Sequence, residues 1–333
     1  MKAVALTAPG EVKVLRIPEP IAQDGDILLK VELVGLCGSD LNSYRGMNPL
    51  VSYPRVIGHE IAATVLQGNV KFAPGTRVTV SPYTSCGRCA SCRRSRPNAC
   101  QFNQTFGVQR DGAMTELLSV PAERVYPSSL SLKELCLVEP LTVGMHAVSR
   151  ARVTKDDVVA IYGCGGVGLG ATAGAAFRGA VTIAIDVDDE KLETVRACGA
   201  AHIIHSGRES VHDRLQALTA GHGPDVVIEA VGLPQTFRGA VEEVAFSGRV
   251  VYIGYAKETV SYETRLFVQK ELDILGSRNA LPGDFEEVMK LLAAGSFPID
   301  HIISSVVPLD DAPEALARWA AHPASVTKIV VEI

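Results

Sequence analysis

The chain has no surplus of positive charge: 32 Lys and Arg stand against 37 Asp and Glu, a formal net charge of -5 over 333 residues. That excludes a global field able to gather nucleic acid or an anionic membrane, so neither is expected as a partner. Low-complexity composition and internal repeats are absent, and a hydrophobic content of 47% excludes a disordered chain. Met1-Lys2-Ala3-Val4 lacks the charged, apolar and small-residue sections of a secretion signal and reads as a strand, so a cytoplasmic protein is expected. One charge-free run, residues 158–177, is long enough to cross a bilayer, but six of its 20 residues are glycine. Asp156-Asp157 before it and a charged α/β pattern after it mark a buried strand, a tight turn and a buried helix.

The length predicts about two domains, enough to bury a core without disulfide staples. Residues 1–145 read as short strands, such as 27–33 and 77–80, separated by Gly, Pro and Asp. Residues 146–279 alternate β and α, with strands at 158–162, 181–185, 202–205, 226–230, 249–254 and 272–276 and helices such as 189–198 and 208–219. That rhythm predicts a doubly wound parallel sheet, in which a strand such as 249–254 could form an edge that pairs with a second copy. Residues 280–333 hold two amphipathic helices, near 284–294 and 311–320, and a strand at 327–333, expected to return to the first domain.

Four of the eight cysteines fall within fifteen residues: Cys86, Cys89, Cys92 and Cys100, spaced C-x2-C-x2-C-x7-C. An even number permits disulfides, but such a cluster without a secretion signal points to a metal. Four thiolates on one turn-rich lobe, residues 83–103, close a tetrahedron around zinc and leave no position for water, so this site is structural. A ferredoxin-type run would place its fourth cysteine three residues on and follow it with proline; here the gap is seven and Gln101 follows. Arg88, Arg93, Arg94 and Arg96 offset the net negative charge of four thiolates on one Zn²⁺ and need no nucleic acid to explain them. Cys136, Cys164 and Cys198 lie on apolar segments as buried fillers, and the histidines other than His59 are treated as structural.

Gly163-Cys164-Gly165-Gly166-Val167-Gly168 matches G-x-G-x-x-G between an apolar strand and a helix. Gly163 allows the tight turn, Gly165 lets backbone approach a pyrophosphate, and Gly168 lets helix and strand pack closely. The second strand ends at Asp186, whose carboxylate suits ribose hydroxyls and repels a 2′-phosphate. No arginine follows in Val187-Asp188-Asp189, so NAD is favoured over NADP.

Three further segments carry ligand chemistry: Cys37-Gly38-Ser39-Asp40, Gly58-His59-Glu60 and Glu139-Pro140-Leu141. Thiolate, imidazole and carboxylate suit zinc, although spacing alone does not bring them together. With the four-cysteine lobe and the glycine turn, these motifs, in this order along essentially the whole chain, resemble the zinc-containing medium-chain dehydrogenase/reductase superfamily. The resemblance is to its polyol branch, that of sorbitol and threonine dehydrogenases. The stretch from Tyr44-Arg45-Gly46-Met47-Asn48-Pro49 to Glu60 is most similar to bacterial enzymes oxidising L-galactonate or L-gulonate.

The resemblance implies a GroES-like β-barrel catalytic domain, an inserted Rossmann domain and a cleft between them. It also implies two zinc ions per chain, NAD, and a homodimer or homotetramer. Cys37, His59 and Glu60 would hold the catalytic zinc. Glu139 would ligate it directly or through its water, and Ser39 would relay the proton. Thr142 and Val143 would lie near the nicotinamide. Ala63 departs from the family, which usually has glycine there; the added methyl is expected to shift a strand slightly. A polyhydroxylated substrate needs several hydrogen-bond partners, and Tyr44, Arg45, Asn48, Arg278 and Asn279 are candidates, Arg45 as a bidentate carboxylate receptor. The competing readings are a threonine 3-dehydrogenase, a neutral-polyol dehydrogenase, and a non-catalytic NAD-binding regulatory protein.

Overall fold

The computed structural model describes residues 1–323 and 326–333. Its N-terminal strands follow from two-residue apolar alternation broken by turn residues. β1 (Lys2–Ala8) turns at Pro9-Gly10 into β2 (Glu11–Arg16), and β3 (Asp26–Gly35) ends just before Leu36-Cys37. A short helix, α1 (Gly38–Tyr44), and β4 (Arg55–Val56) lead to β5 (Glu60–Gln67) and β6 (Arg77–Val80). After the cysteine loop come β7 (Leu117–Pro121), β8 (Val125–Pro127) and the long helix α2 (Leu132–Arg150). Strands and helices then alternate: β9 (Val158–Tyr162), α3 (Gly166–Phe177), β10 (Val181–Asp186), α4 (Asp189–Ala197), β11 (His202–His205), α5 (Val211–Leu218), β12 (Val226–Glu229), α6 (Pro234–Glu243), β13 (Arg249–Tyr252), α7 (Arg265–Gln269) and β14 (Asp273–Gly276). The last elements are α8 (Pro282–Ala293), α9 (Ile299–Ile302), β15 (Ser305–Pro308), α10 (Ala312–Ala321) and β16 (Ile329–Glu332).

The described chain divides into two compact units, Met1–Glu139 with Ile299–Ile333, and Pro140–Pro298. In the first, β15-β16-β3-β5-β6-β8 form one sheet, with β7 also on β3, and β2-β1-β4 form a second. Alternation along β3 sends Ile27, Leu29 and Val31 into the core, where Ile61, Ala63, Val78 and Val80 meet them, all fully buried. Each buried Ile, Leu or Val side chain contributes about 1.5–3 kcal/mol. The β3–β5 pairing is irregular between Val31 and Leu33, beside the Ala63 partner of Val31. β16 pairs antiparallel with β3, so the last strand does return to the first sheet.

In the second unit all six strands run parallel, in the order β11-β10-β9-β12-β13-β14. This is the doubly wound order that reverses direction beside the first strand of the unit. β9, and β12 up to its last residue, Glu229, are apolar on both sides because helices cover both faces. Two expectations change. β13 is internal, so residues 249–254 are no edge; β14 is the edge instead. Helix α8, grouped by sequence with the C-terminal return, stays in the second unit. Its Phe285, Val288 and Leu292 are buried, and its Asp284 accepts a hydrogen bond from the Ser149 hydroxyl of α2 at 3.0 Å. Asp284 also pairs with Nδ1 of His146, on the same helix, at 2.7 Å. The return begins at α9. No helix among the described residues is long and apolar enough to cross a membrane.

Candidate active site and metal centres

Cys37 follows β3 and caps α1. Its extended backbone (φ -103°, ψ 157°) turns the chain, and its N–H donates to Oδ2 of Asp40 at 2.8 Å. His59 and Glu60 lie where Gly58 turns into β5. Glu60 is fully buried and lies against Gly35, where a Cβ would stand 1.9 Å from Oε2, so only glycine admits this carboxylate. One ligand atom each from Cys37, His59 and Glu60 lies within 4.8 Å of the others. Glu139 is buried and stands outside that group, its Oε1 accepting a hydrogen bond from the Tyr83 hydroxyl.

The electrostatics call for a cation. Burial pushes Asp40 and Glu139 above the usual carboxylate range. Burial alone would lower the His59 pKa, but Cys37, Asp40 and Glu139 outweigh it and raise it well above the ordinary value. Nδ1 of His59 is buried without a partner. Soft sulfur, imidazole nitrogen and carboxylate oxygen within 4.8 Å of one another fit zinc. Sequence reasoning missed one residue: Nζ of Lys328, just before β16, donates to both Glu60 oxygens at 2.6 and 2.7 Å and to the Leu36 carbonyl at 3.2 Å. The hydroxyl of Ser39 is buried without a partner.

The four cysteines also converge. Sγ of Cys89 lies 3.4 Å from that of Cys92 and 3.8 Å from that of Cys100. Tetrahedral zinc with thiolate bonds of about 2.3 Å sets sulfurs about 3.8 Å apart, whereas a disulfide needs about 2.05 Å. The N–H groups of Cys89, Cys86 and Phe102 donate to sulfurs of the cluster at 3.3–3.4 Å, as thiolates require. The Ser91 hydroxyl and the Cys92 N–H hold the Cys89 thiol down at about 5.

In the second unit, Gly163 adopts φ +93°, and a Cβ on Gly168 would stand 1.8 Å from the Gly163 carbonyl, so both must be glycine. A Cβ on Gly165 or Gly166 would meet nothing, which leaves the turn open to a ligand. Gly165 caps α3 without a side chain, and the first-turn N–H groups face that space as an anion site does. Oδ2 of Asp186 accepts the Cys164 N–H at 2.7 Å, and Oδ1 accepts those of Val187 and Asp188 at 2.7 and 3.2 Å. The carboxylate is thus fixed at the end of β10 beside the turn.

Residues 23–130 match the alcohol dehydrogenase GroES-like domain and residues 166–294 the zinc-binding dehydrogenase family. The chain is 32% identical to the sorbitol dehydrogenase of Bacillus subtilis, over 99% of this chain and 97% of that one. It is also 32% identical to the L-galactonate-5-dehydrogenase of Escherichia coli, over 94% and 93%. It belongs to the zinc-containing medium-chain dehydrogenases. An Escherichia coli alcohol dehydrogenase crystallised with NADH superposes with a TM-score of 0.91 at 27% identity, covering 100% of this chain and 99% of that one. The protein is therefore a zinc-dependent polyol or alcohol dehydrogenase that acts on a CH–OH group with a nicotinamide dinucleotide.

The dehydrogenase uses its polar candidates unevenly. Tyr44 packs against the core of the first unit. Nη2 of Arg45 donates to the Ala320 carbonyl at 2.7 Å, closing the end of α10. Asn48 orders its own loop, donating to the Ser43 hydroxyl at 3.1 Å and accepting the Leu50 N–H at 3.1 Å. Arg278 is exposed after β14, and Asn279 takes φ +54°. Thr142 is fully buried on α2. Cys136, Cys164 and Cys198 are buried, as expected of fillers.

Proposed function

We propose that this dehydrogenase oxidises a secondary alcohol of a polyol or sugar acid, of the L-galactonate or L-gulonate type, to a ketone with NAD. The observation that carries this reading is a half-buried thiol with a buried imidazole and a buried carboxylate, within 4.8 Å of one another. Cys37, His59 and Glu60 would hold the catalytic zinc, with Glu139 ligating directly or through water, and Cys86, Cys89, Cys92 and Cys100 would hold the structural one. When bound, zinc supplies Lewis-acid polarisation of the substrate hydroxyl and the nicotinamide supplies the hydride acceptor. Ser39, with its unpartnered hydroxyl, takes the alcohol proton and passes it on. Gly163, Gly165, Gly166, Val167 and Gly168 cradle the pyrophosphate, and Thr142 flanks the nicotinamide. Asp186 meets ribose hydroxyls and repels a 2′-phosphate, which favours NAD. Similarity to proteins named for sorbitol and L-galactonate supports the polyol or sugar-acid class.

The test is NAD reduction on a matched panel: sorbitol, galactitol and xylitol against L-galactonate, L-gulonate and D-gluconate, with L-threonine included. Aldonates should win by about tenfold or more, equivalent to about 1.4 kcal/mol. Neutral polyols winning would replace the sugar acid with an uncharged polyol. L-Threonine winning would replace a sugar acid with an amino alcohol.

A further inference from the structure

Lys328 lies at the opposite end of the sequence from the ligands it touches. Its residue is only 7% exposed. All three of its ammonium hydrogens are committed: two to the Glu60 carboxylate and one to Leu36, the residue before Cys37. Gly35, also on β3, leaves the space in which that carboxylate lies. Glu60 therefore meets a full positive charge. An ammonium and a metal ion compete for the same oxygens, and a buried carboxylate stripped of one cation binds the other more tightly.

We propose that Lys328 is a positioning residue that holds Glu60 partly away from the zinc, setting how tightly the ion is bound and keeping the Glu60 position exchangeable. This rests on the zinc assignment made above. Four N–H···O and charge contacts define the arrangement: the lysine to each Glu60 oxygen, the lysine to Leu36, and the Cys37 N–H to Asp40, which fixes the neighbouring ligand. The carboxylate is then shared rather than spent on the metal, and the ion retains a place for substrate.

The experiment measures zinc affinity of the Cys37 site by competition with a chelator, with total zinc counted per chain. Lys328→Met should tighten zinc binding about tenfold or more, because Glu60 is released to the metal. Lys328→Arg keeps the positive charge, and should stay within about threefold of the parent. With Glu60→Gln in place, Lys328→Met should change affinity by less than about threefold. Equal tightening in both backgrounds would mean a general charge effect and overturn the proposal, as would unchanged affinity in Lys328→Met. If Lys328→Met folds only when zinc is added, the coupling appears as metal-dependent stability and supports it; failure to fold even with zinc overturns it. Cys37→Ala separates the underlying assignment: two zinc ions retained per chain in that variant would remove the metal site itself.

Discussion

In the cysteine lobe every ligand lies between residues 86 and 100 on one loop; in the Cys37 cluster residues 37, 59 and 60 come from the ends of different elements, and the lysine on Glu60 comes from residue 328. The lobe is four-fold alike in chemistry, and its Cys89 sulfur lies 3.4 and 3.8 Å from those of Cys92 and Cys100, near the separation that one tetrahedral ion imposes. The Cys37 cluster mixes sulfur, nitrogen and oxygen, is buried in an excess of acids, and leaves an imidazole nitrogen and the Ser39 hydroxyl without partners. A saturated ligand set holds a loop in shape. An unsaturated one, surrounded by groups with unmet hydrogen-bonding capacity, can do chemistry.

The comparison breaks most sharply at the ligands. Cys37→Ala or His59→Ala should lower turnover by about a thousandfold or more, with NADH binding unchanged and about one zinc per chain retained in the lobe. Initial rates, NADH fluorescence titration and metal content check this, and near-parental activity would sink the catalytic assignment. Ser39→Ala should cost about a hundredfold and change the pH–rate profile, while zinc content stays at that of the parent. Cys89→Ser should do the reverse: zinc falls by about one per chain and the unfolding midpoint drops, while each folded molecule keeps most of its activity. Thermal unfolding followed alongside activity separates the two; equal losses in both would show that the lobe shapes the catalytic centre directly.

The smallest effect concerns a thiol in neither cluster. Burial pushes Cys198 from 9.0 up to about 12. The unfolded chain releases that proton first, so this contribution to stability is full below about pH 9 and is lost as pH rises towards the folded value. The slope is about 1.4 kcal/mol per pH unit at most. Urea midpoints measured across that window should fall less steeply in Cys198→Ala than in the parent.

Local order was legible and distant convergence was not. The cysteine spacing and the glycine turn each occupy one short stretch, so their chemistry could be read directly from residue types. All six strands of the parallel sheet were visible as apolar runs bounded by turn residues. Their lateral order was not, because strands covered on both faces carry the same apolar signature at the centre and near the edge; hence the misplacement of 249–254. Lys328 gave a faint signal, a single charge at the start of the apolar run Ile329-Val330-Val331, but nothing local names its partner 268 residues away. Tyr83 was missed for the same reason: its hydroxyl meets Glu139 only through the tertiary fold. Arg45 looked like a receptor because a loop arginine beside a ligand motif offers a guanidinium; the fold spends that group on the end of α10.

The pairing of β16 with β3 also sets a timetable. A chain emerging from the ribosome presents β3, Cys37, His59 and Glu60 long before Lys328 and β16 are synthesised. During that interval the second unit is synthesised in full. Until then β3 has no partner along the edge that β16 will take, and Glu60 has no ammonium against it. Residues 328–332 therefore bring together the strand that pairs with β3 and the charge that Glu60 meets.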